Sequence, residues 1–403
     1  MKMNDIRSES PGRRRPIRRR LAVVAVASAV AVTLAACAHS DSSSGGSAGG
    51  SKTYSVGLIG SQTGAQAQIG QDSVNGAQLA ADEINASGGL LGAKVSISAQ
   101  DDAGLPSTGV SAAQKLTENG SRDALLGPDI SSIVEAVSPT VTRAQIPWVV
   151  SAISPKDFQL GNKWIFGGRP TDSVNAQIMA QYATSTLKVT DTVVIYNTDA
   201  YAEPTLPFIK QYDAAAGLKV LSVEGIQDGA TTAASQVETA IRSGAQSIEF
   251  WGLLPEAALT LKTAKSLGFH GQIFGANALV NQTTLQLAGA AANGATAATT
   301  FVSTNSAAQV QAFVKKYQAK YNSTPNDHAS IYYDMMNLLA QAVKNANSFD
   351  ADKVRSALAS LQYEGVNGPI QFDSSGVDIA HSGVIAKVDS GQANVVQFLN
   401  TAK

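Results

Sequence analysis

Residues 54–100 read YSVGLIGSQTGAQAQIGQDSVNGAQLAADEINASGGLLGAKVSISAQ, and the fold is decided there. Tyr54 to Ile59 is a short apolar run of strand length. Val74, Ala77, Ala81 and Ile84 then recur at helical spacing between Asp72 and Ala86, and Gly88-Gly89 stops that helix. Lys94 to Gln100 alternates apolar and polar residues as a second strand. Strand, helix and strand in succession build a parallel sheet covered on both faces.

Outward from this unit the same alternation continues. A helix is expected from Pro106 to Glu118, a strand from Ala124 to Leu126, a helix from Ser131 and a strand from Trp148 to Val150. After Trp164 to Phe166 the pattern restarts. Helices are expected from Thr171, Pro204, Thr231 and Pro255, with strands at 192–196, 219–223, 247–251 and 272–274. Helices near 307–321, 329–346 and 351–361 follow, then short strands from Ile370. This predicts two α/β lobes, each a doubly wound sheet, with a cleft where the carboxyl ends of their strands meet.

Upstream the character changes. Eight of the 30 Lys and Arg residues lie in the first twenty positions, so the remainder carries 22 basic against 29 acidic residues, a net charge of about −7. A body of that sign offers no electrostatic footprint for nucleic acid. Residues 21–36, LAVVAVASAVAVTLAA, form an uncharged apolar run of sixteen, short of the roughly twenty that span a bilayer. Residues 1–36 are therefore read as an export signal. The run closes on Leu34-Ala35-Ala36-Cys37, which resembles the lipobox of bacterial lipoproteins and implies acylation of Cys37. Cys37 is the single cysteine, which excludes an internal disulfide and a cysteine-ligated metal. Residues 37–51, rich in Ser and Gly, read as a flexible tether, and the fold is expected to start near Lys52.

Several stretches together resemble a known group. They are VGLIGSQTGAQAQIGQD at 56–72, NGAQLAADEINASGGLLGAKV at 75–95, QDDAGLPSTGVSAAQKL at 100–116, GPDISS at 127–132, YNSTPNDHASIYYDMMNLL at 321–339 and GVNGPIQFDSSG at 365–376. Their ordered succession is similar to the type I periplasmic binding proteins of ABC importers, in the branched-chain amino acid (Leu/Ile/Val) binding family. The resemblance implies two lobes joined by a three-segment hinge, with crossovers near 167–172, 292–303 and 366–372. The lobes are then 52–170 with 300–369, and 171–299 with 370–403.

The resemblance also marks candidate ligand-binding residues. Ser131 opens a helix where a hydroxyl and free backbone N–H groups hold a carboxylate. Ala152 and Ser154 match a backbone-plus-hydroxyl clamp on the ligand's carboxylate and ammonium. In the second lobe Asp172 matches an acidic cleft residue and Tyr201 a tyrosine that covers the ligand. Gln68 lies in the loop after the first strand, beside Ile69, where amino-acid binders often carry tyrosine. Asn277 stands where those binders have a glutamate that pairs with the ligand ammonium. An amide cannot supply that charge, and burying an unpaired ammonium costs several kcal/mol. Asp172 is the candidate replacement. An uncharged amide, an aliphatic or aromatic carboxylate, or another small polar molecule therefore stands beside an amino acid as the ligand. Leu253 and Leu254 suggest an apolar wall. Ser131→Ala and Ser154→Ala are expected to abolish a ligand-induced thermal shift while barely changing the unliganded melting point.

Catalytic signals are sparse. No G-x-S-x-G elbow follows a strand, the pattern's one occurrence being Gly45 to Gly49 in the Ser/Gly-rich stretch, and Gly60-Ser-Gln-Thr-Gly64 is neither a Walker loop nor a full dinucleotide fingerprint. His39, His270, His328 and His381 are scattered without zinc spacing. His328 adjoins Asp327, but adjacent helical residues do not face each other. The expectation is a lipid-tethered, extracytoplasmic solute-binding protein of an ABC importer. It needs no cofactor and no metal, its partners are a small ligand, the permease subunits and the membrane, and it is not an enzyme. A ligand sensor of the same fold coupled to a membrane signalling partner is the alternative.

Overall fold

A computed structural model describes residues 52–120, 122–380 and 382–400. The leader, Cys37, the tether, His39 and His381 lie outside them. Strand β1 (Thr53–Gly60) pairs in parallel with β2 (Lys94–Asp101) on one side and β3 (Ala124–Leu126) on the other. Covered on both faces, it reads as nearly continuous apolar sequence, with Tyr54, Val56, Leu58 and Ile59 fully buried. Between β1 and β2 runs helix α1 (Ala67–Ala86), five residues longer at its start than the periodicity from Asp72 predicts. Gly70 hides the extra turn, because glycine disfavours helix. It is needed for contact: a Cβ there would stand 2.2 Å from the Ser61 carbonyl oxygen.

Helices α2 (Pro106–Thr117) and α3 (Ser131–Ala144) and strands β4 (Trp148–Val150) and β5 (Ile165–Gly167) complete an all-parallel sheet of order β2-β1-β3-β4-β5. The chain then enters a second sheet. Its elements are α4 (Asp172–Tyr182), β6 (Asp191–Asn197), α5 (Leu206–Ala216), β7 (Lys219–Ile226), α6 (Ala234–Ser243), β8 (Ser247–Trp251), α7 (Leu254–Ser266), β9 (Gln272–Gly275), α8 (Gln282–Ala288) and β10 (Thr296–Thr299). Helices α9 (Ala308–Tyr321), α10 (Asp327–Ala346) and α11 (Ala351–Ala359) follow, then the hairpin β11 (Gln362–Gly365) and β12 (Gly368–Gln371). Strands β13 (Ser382–Asp389) and β14 (Gln392–Asn400) return to the second sheet, whose order is β14-β13-β10-β9-β8-β6-β7. Its five central and edge strands β6 to β10 run parallel, and β13 and β14 add antiparallel.

Two of the expected crossover spans contain regular structure. Residues 292–303 include β10, so the chain leaves the second sheet only after Thr299. Residues 366–372 hold the turn and second strand of the β11–β12 hairpin. Ile370 in β12 and Phe372 just after it pack in the core of the first sheet, Phe372 edge-on to Phe166 at 5.1 Å, and Gly167 N–H donates to the Gly376 carbonyl at 2.8 Å. The chain therefore stays with the first sheet past 370 and joins the second at β13. Helix α10 packs along α1, closing the outer face of the first sheet.

Candidate functional site

Loops at the carboxyl ends of both sheets meet around a cavity of about 50 Å³, room for a few water molecules. The first sheet supplies Ile69 after β1, Asp129 to Ser131 after β3, Ile153 after β4 and Arg169 after β5. The second supplies Tyr201 after β6, Leu253 and Leu254 after β8 and Asn277 after β9. Such convergence at strand ends is where open α/β sheets bind ligands. The walls are largely apolar. Ile153 packs against Tyr201 and Ala202, so the two sheets' loops are in direct contact here.

Ser131, Tyr201 and Asn277 are thus brought together. Ala152 and Ser154 are not: both are buried, and neither lines the cavity, which is lined instead by Ile153 between them. Alternate residues of extended chain face opposite sides, and the clamp expected at 152 and 154 is on the wrong side for this cavity. Gln68 is exposed and lines a second, open cavity of about 630 Å³, donating to Asp72 at 2.9 Å. That larger space shares Asn277 with the first and is lined mainly by neutral amides and hydroxyls.

Asp172, the expected substitute for the missing glutamate, is fully buried. Its carboxylate already accepts from the Tyr201 hydroxyl and from Asn175 Nδ2 at 2.7 Å. Burial raises its pKa, opposed by those two donors and by Arg169. It does not line the cavity and holds Tyr201 in place. Asn277 Nδ2 donates to Asp327 at 3.0 Å, so the amide serves as a donor to a neighbouring carboxylate.

Ser131 opens α3 and its Oγ–H donates to buried Asp157 at 2.8 Å. Burial pushes Asp157 up to about 7, against that bond. The expectation that Ser131→Ala leaves the unliganded protein unchanged is corrected accordingly. Losing the donor to a buried carboxylate is expected to cost about 1–3 kcal/mol. Since the folded pKa lies above the unfolded carboxylate value, Asp157 favours the fold at low pH, and that contribution is lost as pH rises towards 7. The Ser131→Ala penalty should therefore be larger at pH 8 than at pH 5 in urea denaturation. Equal penalties at both would place the hydroxyl elsewhere.

A charged cluster, of which the sequence singles out only the adjacent Asp327 and His328, stands beside these residues. Arg169, Asp129, Asp327 and His328 are all at least nine-tenths buried in their side chains. His328 Nδ1 lies 3.1 Å from Asp327 Oδ1, and its Nε2 lies 3.8 Å from Asp129 Oδ1. The rule that neighbours on a helix do not face each other fails here because Asp327 is the first residue of α10. Burial opposes charging of His328, but Asp327 and Asp129 outweigh it and raise its pKa. Burial likewise works against ionised Asp327, yet His328 and Arg169 hold it at about 2. Among the described residues no group of His, Cys, Asp and Glu side chains is arranged to hold a metal ion.

The chain and its fold resemble known proteins. The leucine-, isoleucine-, valine-, threonine- and alanine-binding protein of Pseudomonas aeruginosa is 26% identical over 326 residues, 80% of this chain and 87% of that protein. LivJ of Streptococcus pneumoniae, a branched-chain amino acid transporter substrate-binding protein solved with isoleucine, superposes with a TM-score of 0.79 at 24% identity, covering 86% of this chain and 99% of that one. A solute-binding protein of an ABC transporter from Rhodopseudomonas palustris BisB5, solved with 3,4-dihydroxybenzoic acid, gives 0.79 at 22% identity, with 87% and 98% covered. The fold is that of the type I periplasmic binding proteins. Residues 53–393 match the periplasmic binding protein family, and the chain belongs to it.

Proposed function

We propose that this chain is an extracytoplasmic solute-binding lipoprotein of an ABC importer, which holds a small amino acid-like or other carboxylate-bearing solute between its lobes and hands it unchanged to the permease. The observation that carries the reading is the meeting of Ser131, Tyr201 and Asn277, from loops of both sheets, at one cavity. The family binds solutes and is not an enzyme family. The relatives' named ligands, aliphatic amino acids and an aromatic acid, all carry a carboxylate. No helix among the described residues is long and apolar enough to cross a membrane, and acylated Cys37 would supply the anchor.

The lobes we assign are 52–170 with 300–380, and 171–299 with 382–400, following sheet membership. With loops of both sheets around this cavity, the solute enters as the lobes part at the three crossings and is held as they close on it. A thermal-shift screen of the protein against amino acids, amides and aliphatic and aromatic carboxylates tests the reading. A true ligand at a hundred times its dissociation constant adds about 2.7 kcal/mol of stability and is recovered unaltered. A screen in which no solute raises the melting point, or in which the binding solute is consumed, refutes it.

A further inference from the structure

We propose that Arg169 and Asp129 read the polar end of the solute: the Arg169 guanidinium takes a carboxylate, and Asp129 Oδ1 takes a hydrogen-bond donor on the adjoining carbon. The inference rests on the solute-binding reading and narrows its ligand to a small carboxylic acid with a neighbouring donor and an apolar body.

Arg169 is 7% exposed and lines the cavity. Its Nε donates to the Ser151 carbonyl at 2.6 Å, which fixes the plane of the group. Its Nη1 stands 4.0 Å from Asp327 Oδ2, beyond hydrogen-bond distance, and among the described residues neither Nη atom makes a hydrogen bond. A buried guanidinium with its fork unfilled is costly in isolation and matches the two oxygens of a carboxylate.

Asp129 has the complementary vacancy. Its side chain is 6% exposed, and its Oδ2 accepts from Tyr332 at 3.2 Å and Ser73 at 3.4 Å. Its Oδ1 is buried and has no hydrogen-bond partner, the nearest charge being His328 Nε2 at 3.8 Å. A carboxylate oxygen in that condition accepts strongly from an ammonium or a hydroxyl. The two residues leave β3 and β5, which flank β4 in one parallel sheet, so their backbones start about 10 Å apart at two strand spacings. Ile69, Ile130, Ile153, Leu253 and Leu254 in the same lining offer apolar surface to the remainder of the solute, beside the polar groups of Ser131, Tyr201 and Asn277. The anionic group that Asn277 lacks is thus supplied from the opposite lobe.

Isothermal titration of the full chain tests this with two matched series on isopropyl and phenyl bodies. The probes are valine, 2-hydroxy-3-methylbutanoate, 3-methylbutanoate and valinamide, and then phenylglycine, mandelate, phenylacetate and phenylglycinamide. In the series that binds, converting the carboxylate to an amide is expected to weaken binding about a hundredfold. Removing the α-donor is expected to weaken it about tenfold. Whether the amino or the hydroxy acid binds better identifies the donor. R169Q should lose about a hundredfold and R169K, which keeps the charge without the fork, about tenfold. D129N should weaken the amino acid more than the hydroxy acid. Circular dichroism confirms that each variant folds, and R169K serves if R169Q does not. A folded R169Q or R169K that binds like the parent, or an amide that binds like its acid, overturns the proposal. If none of these probes binds, the solute found by thermal shift decides: one without a carboxylate overturns this inference and leaves the solute-binding reading standing, and one with a carboxylate is put to R169Q in the same way.

Discussion

Asp327→Ala is expected to destabilise the folded chain by about 3–5 kcal/mol, because it breaks a buried ionic cluster by removing one partner. Asp327 begins α10, which packs on α1 in the first lobe, yet its carboxylate accepts from two amides of the second: Asn277 Nδ2 at 3.0 Å and Asn281 Nδ2 at 2.6 Å. The same group faces His328 at 3.1 Å and Arg169 at 4.0 Å. Alanine leaves the Arg169 guanidinium buried without its anion, and His328 with Asp129 as the remaining carboxylate beside it. The pH dependence follows from the directions of the shifts. Asp327 is held at about 2, below its unfolded value of 3.8, so its stabilisation is present above 3.8 and is lost as pH falls through 2. His328 is raised above 6.5, so its stabilisation is complete below that value and is lost as pH rises through its folded pKa. Asp129 adds to that rise, while Arg169 opposes it; Asp72 faces Asp327 as a like charge. Urea denaturation at pH 7 measures the main effect. Titration from pH 4 to pH 2 should then show a smaller acid-dependent loss in Asp327→Asn than in the parent. An alanine variant within 1 kcal/mol of the parent would mean that the cluster braces nothing.

The residues that were legible beforehand are those whose role repeats along the chain. Strands β1 to β9 and helices α2 to α7 lie within a few residues of their periodic signals, because burial of one face writes a period into the sequence. Residues 288–299, AGAAANGATAAT, carry no such period: alanine fits a core, a helix or a surface, and β10 disappears into a stretch read as a crossover. The crossover expected near 366–372 falls on the hairpin β11–β12 for a related reason, since Gly365 to Gly368 mark a turn without saying which lobe the turn packs on. Within the site, a serine opening a helix after a strand marks only a helix start, and it is the family resemblance that marks Ser131 as a ligand residue. Arg169 and Asp129 have no local signature. Each is one residue in a loop, and its burial comes from the other loops around the cavity, some of them from the other sheet, so no local window contains the cause. The resemblance nevertheless implies that a charge is missing at 277, and the proposal above draws its replacement from Asp129.

Gly76→Ala is expected to cost about 2–3 kcal/mol, an overpacking penalty that exceeds the roughly 1 kcal/mol a helix gains when alanine replaces glycine. Gly76 lies in the middle of α1, facing α10. A Cβ there would stand 2.0 Å from the Ala329 carbonyl oxygen, 2.8 Å from its carbon and 3.0 Å from its Cα. These are backbone atoms, so no rotamer change relieves the contact and one helix must shift. Ala329 is two residues from Asp327 and one from His328, so the displaced element is the turn that carries the charged cluster. The variant should lower the urea midpoint without changing the denaturant slope. It should also weaken solute binding, since Asp327 moves relative to Asn277. Gln71→Ala, exposed on the same helix, should stay within about 0.5 kcal/mol of the parent and separates helix propensity from packing. If Gly76→Ala is instead neutral or stabilising, α1 and α10 do not approach this closely, and the position assigned to the α10 terminus beside the cavity is wrong with it.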